Sequence, residues 1–478
     1  MSTIVLAGVG ALQGLLFLRA FGISARTDGF FAAYALYIVV GLLGQTLRTS
    51  AVPLLVGATS RMTVGDFAWA IAALCGVLGI VCYGLAAPLA TVLAPGLDAA
   101  GRDVTESGLR LLAAAVALQL VAAGAATVLG IQGRLARPAR SYSAGALVGL
   151  VGFVALIGPA DEQALAWAAV IAGAVTVGLM APALRGTRVG RPQVRLVPRH
   201  IAWLLVSSVL GLTLAGLYVP TLALVSGTGE GTVTILAYAY VLVGYLNGVT
   251  AGAVSMGTMI ALAPVHADAR ALVDRSLRPA FRHAFLVAAP GLAVSAVVAP
   301  PVLHALLPGQ VGPGDTATLQ EFILLLGGWL VAALLAALTF PALYSAGLML
   351  RVNVLLPPLV AVHIAAGLAA RAAFGAEGVV AAMAFAPTLL VCLMLWMSHG
   401  RHALEVAAGL AADGALIGGV AAVGIGLPAV LAAALGGAAA QVVAALAGLC
   451  LYGAIVLRAL PVEARAFVAL LRRVPARS

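Results

Sequence analysis

The chain has 478 residues, of which 63% are hydrophobic and only 9% are charged, and its mean hydropathy is +1.13. Soluble domains carry about 25% charged residues, so this composition excludes a set of soluble globular domains. The formal net charge is +10, but the arginines lie in short gaps between apolar runs. A nucleic-acid partner would need a basic patch on a soluble face, so the prediction is a membrane protein without nucleic-acid binding.

Apolar runs long enough to cross a membrane recur along the whole chain. A spanning helix needs about 20 mainly apolar residues. The predicted fold class is therefore all-α, a polytopic membrane protein of about 14 transmembrane helices. Runs bounded by charged residues or by Pro/Gly clusters predict these spans at residues 4–21, 29–57, 67–93, 108–132, 141–158, 164–184, 201–225, 232–263, 284–307, 319–346, 351–374, 378–398, 406–433 and 436–460.

The arginines indicate the direction of these spans, because cytoplasmic loops are enriched in basic residues. If the N-terminus is cytoplasmic, 20 of the 26 basic residues, all of them arginine, fall in inner loops and the C-terminal tail. Five fall outside, and Arg48 lies within a helix. Acidic residues such as Asp98, Asp161 and Glu230 fall on the outer side. This alternation predicts that both chain ends are cytoplasmic.

One inner loop, residues 265–283, has a pattern of its own. Arg270, Asp274 and Arg278 are spaced at i, i+4 and i+8, which predicts a short helix that lies on the inner membrane surface near anionic lipid headgroups. Asp413 lies near the inner end of the thirteenth predicted span and is interpreted as an interfacial residue, with a coupling-ion role as the alternative.

Short segments of the two chain halves repeat in the same order. Ala33–Val39 in the second span matches Ala237–Val243 in the eighth, and Leu93–Gly96 after the third span matches Leu306–Gly309 after the ninth. An offset of six spans predicts two parallel six-helix bundles, with a functional site between them and alternating access. The predicted parts are a lobe at 1–200, a lobe at 201–402, and two extra helices with a basic tail at 403–478.

Several motifs resemble those of a known family. Arg19-Ala-Phe-Gly22 followed by Asp28-Gly-Phe-Phe31 resembles the junction of the first two helices in the MviN/MurJ lipid II flippases. Phe374-Gly-Ala-Glu-Gly378 is similar to the junction before their twelfth helix. The resemblance runs from about residue 15 to 400 and implies membership of the MOP exporter superfamily, which also includes polysaccharide flippases and multidrug antiporters of the MATE type.

The resemblance implies a flippase that moves a lipid-linked glycan precursor, such as lipid II or a polyprenyl-pyrophosphate oligosaccharide, across a bacterial plasma membrane for cell-wall or surface-polysaccharide synthesis. The family's cavity cations are not reproduced: Gln13-Gly14, Gly41-Leu42 and Tyr240-Val241 stand at those positions. A MATE-type drug or cation antiporter and a degenerate membrane protein that binds partners without transport therefore remain as alternatives.

Polar groups within spans are costly and often functional, so they supply the candidate binding residues. Arg48 either serves function or extends to the inner interface. Arg19 and Asp28 either pair as an outer gate or anchor the helix ends. Gln13 and Asn247 either face the cavity or bond between helices. The predicted substrate-binding residues are Arg19, Asp28, Gln45, Arg48, Gln13 and Asn247.

No catalytic, metal-binding or phosphate-loop motif occurs in the sequence, so no enzyme, metal or cofactor is predicted. The predicted partners are the lipid-linked glycan, membrane lipids and a coupling ion, either Na⁺ or H⁺, unless the membrane potential drives transport.

Overall fold

The structure is a computed structural model that describes residues 2–55, 62–134, 136–187, 190, 193–252 and 268–459. Within these residues the regular structure is helical, without a strand. The α-helices are α1 (Ser2–Phe21), α2 (Ala25–Leu55), α3 (Val64–Gly84), α4 (Ala86–Leu93), α5 (Ala99–Ile131), α6 (Ala136–Ala160), α7 (Ala164–Leu184), α8 (Val197–Gly216), α9 (Tyr218–Val225), α10 (Thr232–Asn247), α11 (Ala269–Leu306), α12 (Pro313–Ser345), α13 (Met349–Ala382), α14 (Phe385–His399), α15 (Ala403–Ala421) and α16 (Leu427–Ala459).

Long apolar helices dominate the part of the chain that the structure describes. Eight helical stretches there are long and apolar enough to cross a membrane, and the bent pair Val197–Val206 and Gly211–Val225 makes a ninth. Two of the eight, Ala136–Leu184 with 49 residues and Phe385–Arg458 with 74, are far longer than one crossing, which needs about 20 residues. These two stretches therefore contain more than one crossing each.

Glycines with positive φ break the longest helices. Gly375 in α13 has φ 64° and ψ −140°, between the predicted spans 351–374 and 378–398. Gly437 in α16 has φ 73° and ψ −164°, at the start of the predicted span 436–460. Only glycine adopts such angles without strain. The predicted class, an all-α polytopic membrane protein, is confirmed.

The relative directions of packed helices agree with a chain whose successive spans cross the membrane in opposite directions. Consecutive helices α6 and α7 are antiparallel, because Gly145 lies against Thr176 and Gly149 against Ala168. By contrast, α8–α9 and α13, the seventh and eleventh predicted spans, run in the same direction: Val206 pairs with Asn353 and Gly227 with Arg371. Spans of equal parity must be parallel, so the order of the predicted spans fits the packing.

By packing, the chain divides into two compact units. Unit 1 comprises Met1–Ala237 and Leu350–Val379, and unit 2 comprises Tyr238–Met349 and Val380–Ser478. This division differs from the predicted lobes, because the first part of the second predicted lobe and most of α13 pack within unit 1. The lobes describe repeated segments of sequence, and they remain a prediction.

The core of unit 1 fixes the start of α2. Phe17 of α1 packs against Phe30 and Phe31 of α2 at 5.1 and 5.3 Å between ring centroids, and against Phe153 of α6 at 6.5 Å. Phe17 and Phe30 are fully buried. Buried aromatic pairs contribute about 0.5–1.5 kcal/mol beyond their area, so this cluster holds the first turns of α2 firmly in place.

Unit 2 corrects the prediction of a separate surface helix. Arg270, Asp274 and Arg278 lie in α11, and this helix continues without interruption as a membrane-crossing helix to Leu306. The regular i, i+4 spacing is real, but nothing ends the helix after Arg282. Pro279 and Pro290 lie within it, and neither ends it.

Candidate functional site

A buried carboxylate joins the N-terminal ends of α2 and α10 in unit 1. Asp28, in the first turn of α2, has 0% exposure. Its Oδ2 accepts from the backbone N–H of Gly231 at 2.7 Å. Its Oδ1 accepts from the N–H and the hydroxyl of Thr234 at 2.8 and 2.6 Å. Asp28 therefore caps the N-terminus of another helix, where free amides and the helix dipole favour an anion.

The second helix caps the first in return. Oε1 of Glu230, just before α10, accepts from the backbone N–H of Ala25, the first residue of α2, at 3.1 Å. The Oγ1 atoms of Thr27 and Thr234 lie 3.2 Å apart. We call this set, Ala25, Thr27, Asp28, Glu230, Gly231 and Thr234, the capping junction. It joins segments about 200 residues apart, from the first and second predicted lobes.

Glycines bring two chain turns together beside the capping junction. A Cβ at Gly96 would clash with the backbone of Gly227 and with the carbonyl of Ser226. The N–H of Gly96 donates to Oγ of Ser226 at 3.2 Å. Similarly, a Cβ at Gly29 would clash with the backbone of Gly101. Gly96, which ends the first of the two repeated segments, therefore lies where another backbone leaves no room for a side chain.

An ion pair lies at the same end of unit 1. Nε of Arg26 is 2.7 Å from Oε1 of Glu162, in the turn between α6 and α7. The Arg26 side chain is 54% exposed and that of Glu162 is 10% exposed. The adjacent acid pair Asp161-Glu162 thus provides a partner for α2.

Unit 2 contains the second buried carboxylate. Asp413 of α15 is 5% exposed. It accepts from Nε and Nη2 of Arg278 at 2.7 and 3.1 Å, and from Nη2 of Arg282 at 2.7 Å. We call these three residues the arginine fork. Two guanidinium groups of α11 therefore cover the carboxylate of Asp413, and its place at the membrane interface stays a prediction.

A histidine extends the polar contacts of α11. Nε2 of His399, at the end of α14, is 2.8 Å from Oδ1 of Asp274, and its Nδ1 is 2.7 Å from Oγ of Ser398. Tyr452 of α16 donates its hydroxyl to the carbonyl of Leu286 at 3.0 Å. Polar side chains thus attach α14, α15 and α16 to one helix, α11.

The predicted site residues fall in different places. Asp28 is at the capping junction, but Arg19 is exposed and is not among the partners of Asp28, so the structure does not contain that predicted pair. Gln13 is partly buried in α1. The side chains of Gln45 and Arg48 lie outside the described residues.

Asn247 ends α10, just before a π-helical turn at Gly248–Gly252. Its Oδ1 is buried and has no hydrogen-bond partner among the described residues. Single π-turns are frequent at functional sites, so Asn247 remains a candidate. Within the described part of the chain, no group of three or more His, Cys, Asp or Glu residues is placed to hold a metal ion.

The helical arrangement is similar to that of solved flippase and transporter structures. The chain is similar to the lipid II flippase MurJ in an inward closed conformation, with a TM-score of 0.72 and 13% identity over 96% of this chain and 98% of that chain. It is also similar to an inward-facing multidrug resistance MATE transporter of the MOP superfamily (TM-score 0.62, 16% identity, 84% and 95% covered).

A third similar structure is a mutant of the Vibrio cholerae MATE transporter VcmN, with a TM-score of 0.57 and 13% identity over 84% of this chain and 94% of that chain. No family model and no curated protein matches the chain. The resemblance predicted from short motifs is therefore confirmed as a likeness of fold. The solved structures named here are transporters or flippases rather than enzymes.

Proposed function

We propose that this protein is a flippase of the bacterial plasma membrane that moves a lipid-linked glycan precursor from the inner to the outer leaflet by alternating access. The observation that carries this proposal is the extent of the MurJ likeness, which covers 96% of the chain. The MATE structures cover 84% of the chain, so the likeness to MurJ extends over a larger part of it.

We assign the capping junction the role of the outer gate. With both chain ends in the cytoplasm, the N-termini of α2 and α10 face outward. The junction then closes the outer side, which suits the inward closed state described for the similar MurJ structure. Because its bonds join backbone amides and side chains of two helices, separating the helices breaks them together. Cell-wall or surface-polysaccharide synthesis is the process that such a flippase would support.

The proposed substrate is tested in proteoliposomes. Purified protein is reconstituted with a fluorescent undecaprenyl-pyrophosphate disaccharide, and a membrane-impermeant enzyme reports how much lipid reaches the outer face. We expect the protein to speed transfer between leaflets, and Asp28→Leu to slow it at least tenfold. Glu106→Gln, a change in the exposed pair of Glu106 with Arg110 on α5, is the matched control. Transfer no faster than in protein-free vesicles contradicts the proposal.

The second candidate function is MATE-type export of drugs or cations. It is favoured by the two MATE likenesses and by the neutral residues Gln13-Gly14 and Tyr240-Val241 at positions where lipid II flippases carry cavity charges. The same vesicles loaded with ethidium, under an imposed Na⁺ or H⁺ gradient, test it. Ion-driven dye movement without glycolipid transfer supports this function, and the gradient that drives it identifies the coupling ion.

A further inference from the structure

The turn between α5 and α6 of unit 1 is basic. α5 ends at Ile131, and Gly133 then adopts φ 73°, in the left-handed region that favours glycine. Three arginines, Arg134, Arg137 and Arg140, follow within seven residues, and all of them are exposed. We call these three residues the basic turn. It brings three positive charges to the start of α6.

Two arginines of the basic turn bind the end of the neighbouring helix, α7. Nη1 of Arg134 donates to the carbonyl of Ala183 at 2.8 Å, and Nη2 of Arg137 donates to that of Leu179 at 3.4 Å. The carbonyl of Ala183 lies in the last turn of α7, where a helix leaves its carbonyls without N–H partners. A guanidinium has five N–H groups, so both arginines keep donors for a further acceptor. Arg140 forms no hydrogen bond with the described residues.

The basic turn has no acidic partner in the part of the chain that the structure describes. The sequence contains no acidic residue from 107 to 160 or from 163 to 229. In unit 2, by contrast, arginines at the start of α11 bind carboxylates, because the arginine fork holds Asp413 and Arg270 lies beside Asp274. The preference for basic residues in cytoplasmic loops applies to both units and does not exclude acids. The charge of the basic turn is therefore left for a group outside the protein to balance.

One face of α6 beyond the basic turn is apolar and exposed. The face that includes Gly145 is buried against α7. Leu147, Val151 and Val154 lie on another side and are exposed. They follow Arg140 at i+7, i+11 and i+14, so the four residues share one face of the helix. At a rise of about 1.5 Å per residue this face is about 21 Å long, enough for the acyl chain of one leaflet.

We propose that the basic turn and this apolar face of α6 form a binding site for an anionic phospholipid of the inner leaflet. The lipid phosphate accepts hydrogen bonds from the guanidinium groups, and an acyl chain lies along the apolar face. Arginine suits a phosphate because its planar fork of N–H groups matches two oxygen atoms. With both chain ends in the cytoplasm, the basic turn lies at the inner surface, where anionic lipids attract basic segments. The site is separate from the transported substrate and does not depend on the proposed function.

Quenching by brominated lipids measures the lipid selectivity of this face. In a background without the four native cysteines, Leu147→Cys is labelled with bimane and the protein is reconstituted into phosphatidylcholine vesicles. An increasing share of the lipid is replaced by dibrominated phosphatidylglycerol or by dibrominated phosphatidylcholine, and the two quenching curves give the relative binding constants beside residue 147. The same label on Ile80→Cys is the matched control, because Ile80 is exposed on α3, a helix without arginine.

The label beside the basic turn should report a preference for the anionic lipid. We expect phosphatidylglycerol to bind there about tenfold more tightly than phosphatidylcholine, since an arginine near an anionic surface contributes up to about fivefold. The triple change Arg134→Gln, Arg137→Gln and Arg140→Gln should reduce this preference below about twofold. Lysine at all three positions keeps the charge and should retain more than about half of it. The label on α3 should show equal binding of the two lipids.

Three results would overturn the inference. The first is equal binding of the two lipids beside residue 147 in the parent protein, and the second is an unchanged preference in the triple glutamine variant. The third is recovery of fluorescence when a small share of undecaprenyl pyrophosphate is added to vesicles with dibrominated phosphatidylglycerol, which assigns the basic turn to a pyrophosphate lipid instead. If the triple variant does not fold, Arg140→Gln decides, because it breaks no bond with the described residues and should still lower the preference about threefold.

Discussion

Each of the two units buries a carboxylate between helices, and each satisfies it differently. In unit 1, Asp28 is bound by two backbone amides and one hydroxyl, none of them charged. In unit 2, Asp413 is bound by two guanidinium groups, those of Arg278 and Arg282. Both carboxylates are at most 5% exposed, so burial alone does not distinguish them.

The two carboxylates differ in which charged groups would lose their partners if the helices around them separated. If α2 and α10 part, Asp28 and the amides of α10 meet water at the end of the helices, and no opposite charge is left alone. If α11 and α15 part, three charges lose their partners at a membrane helix, which costs several kcal/mol. We infer that the capping junction is a contact that can open and that the arginine fork is a permanent attachment.

The largest expected effect tests the permanent attachment. Asp413→Ala leaves Arg278 and Arg282 without their carboxylate and should lower the free energy of unfolding by about 3 kcal/mol. The value is at the low end for buried pairs because the Arg278 side chain is 55% exposed. SDS titration in mixed micelles measures it, with Glu405→Ala on the exposed side of α15 as control. If both variants lost the same free energy of unfolding, the arginine fork would contribute no more than an ordinary surface ion pair.

The next effect tests the close backbone approach beside the capping junction. Gly96→Ala places a Cβ against the backbone of Gly227, so the two turns must separate, at a cost of about 2 kcal/mol to the closed junction. Hydrogen exchange of the peptide 226–236 should accelerate about 30-fold. Gly79→Ala, where a Cβ meets open space, should leave exchange unchanged. Unchanged exchange in both variants means that the turns already part freely.

A smaller effect is expected at the carboxylate of the capping junction. Asp28→Ala removes the cap of α10 and should destabilise the closed junction by about 1 kcal/mol, the usual cost of losing an N-cap. The loss is modest because a buried charge disappears together with its bonds. Exchange at the amides of Gly231 and Thr234 should accelerate about fivefold. A loss of about 3 kcal/mol, equal to that expected for Asp413→Ala, would remove the contrast between the two units.

The smallest effect concerns the exposed ion pair. Arg26→Gln breaks the contact with Glu162 and should change stability by less than about 1 kcal/mol, because the Arg26 side chain is 54% exposed. The residual effect should fall further at about 0.5 M salt. A salt-independent loss above about 2 kcal/mol would show that this pair closes the gate together with Asp28.

Much of the fold follows from hydropathy and charge. The helix breaks at Gly375 and Gly437 lie at or beside the boundaries of predicted spans, because a crossing has a fixed length and a turn needs either polar residues or glycine. The prediction of a separate surface helix around Arg278 was wrong for a physical reason. Helical spacing shows that a segment is helical, but it does not show where the helix ends when no breaker follows.

The candidate site was less accessible to sequence reasoning. The sequence predicts Asp28 as part of an outer gate or as an anchor of a helix end, but its partners Gly231 and Thr234 lie more than 200 residues away. It indicates Glu230 only as an acidic residue on the outer side. The internal repeat relates these two regions, since it makes the starts of α2 and α10 equivalent. It does not show that they touch, because contact between them depends on tertiary packing. Asp413 lies outside the repeated segments, so no repeat relates it to Arg278 and Arg282.

Gly437 also has a consequence for how the protein is made. From residue 414 to residue 457 the sequence contains no charged side chain. The turn at Gly437 therefore lacks the basic residues that would fix its side of the membrane during insertion. With an alanine in place of Gly437, α16 would be an unbroken rod of 33 residues, about 50 Å long, in a hydrocarbon layer of about 30 Å. The nascent chain therefore depends on one residue without a side chain to enter the bilayer there as a hairpin.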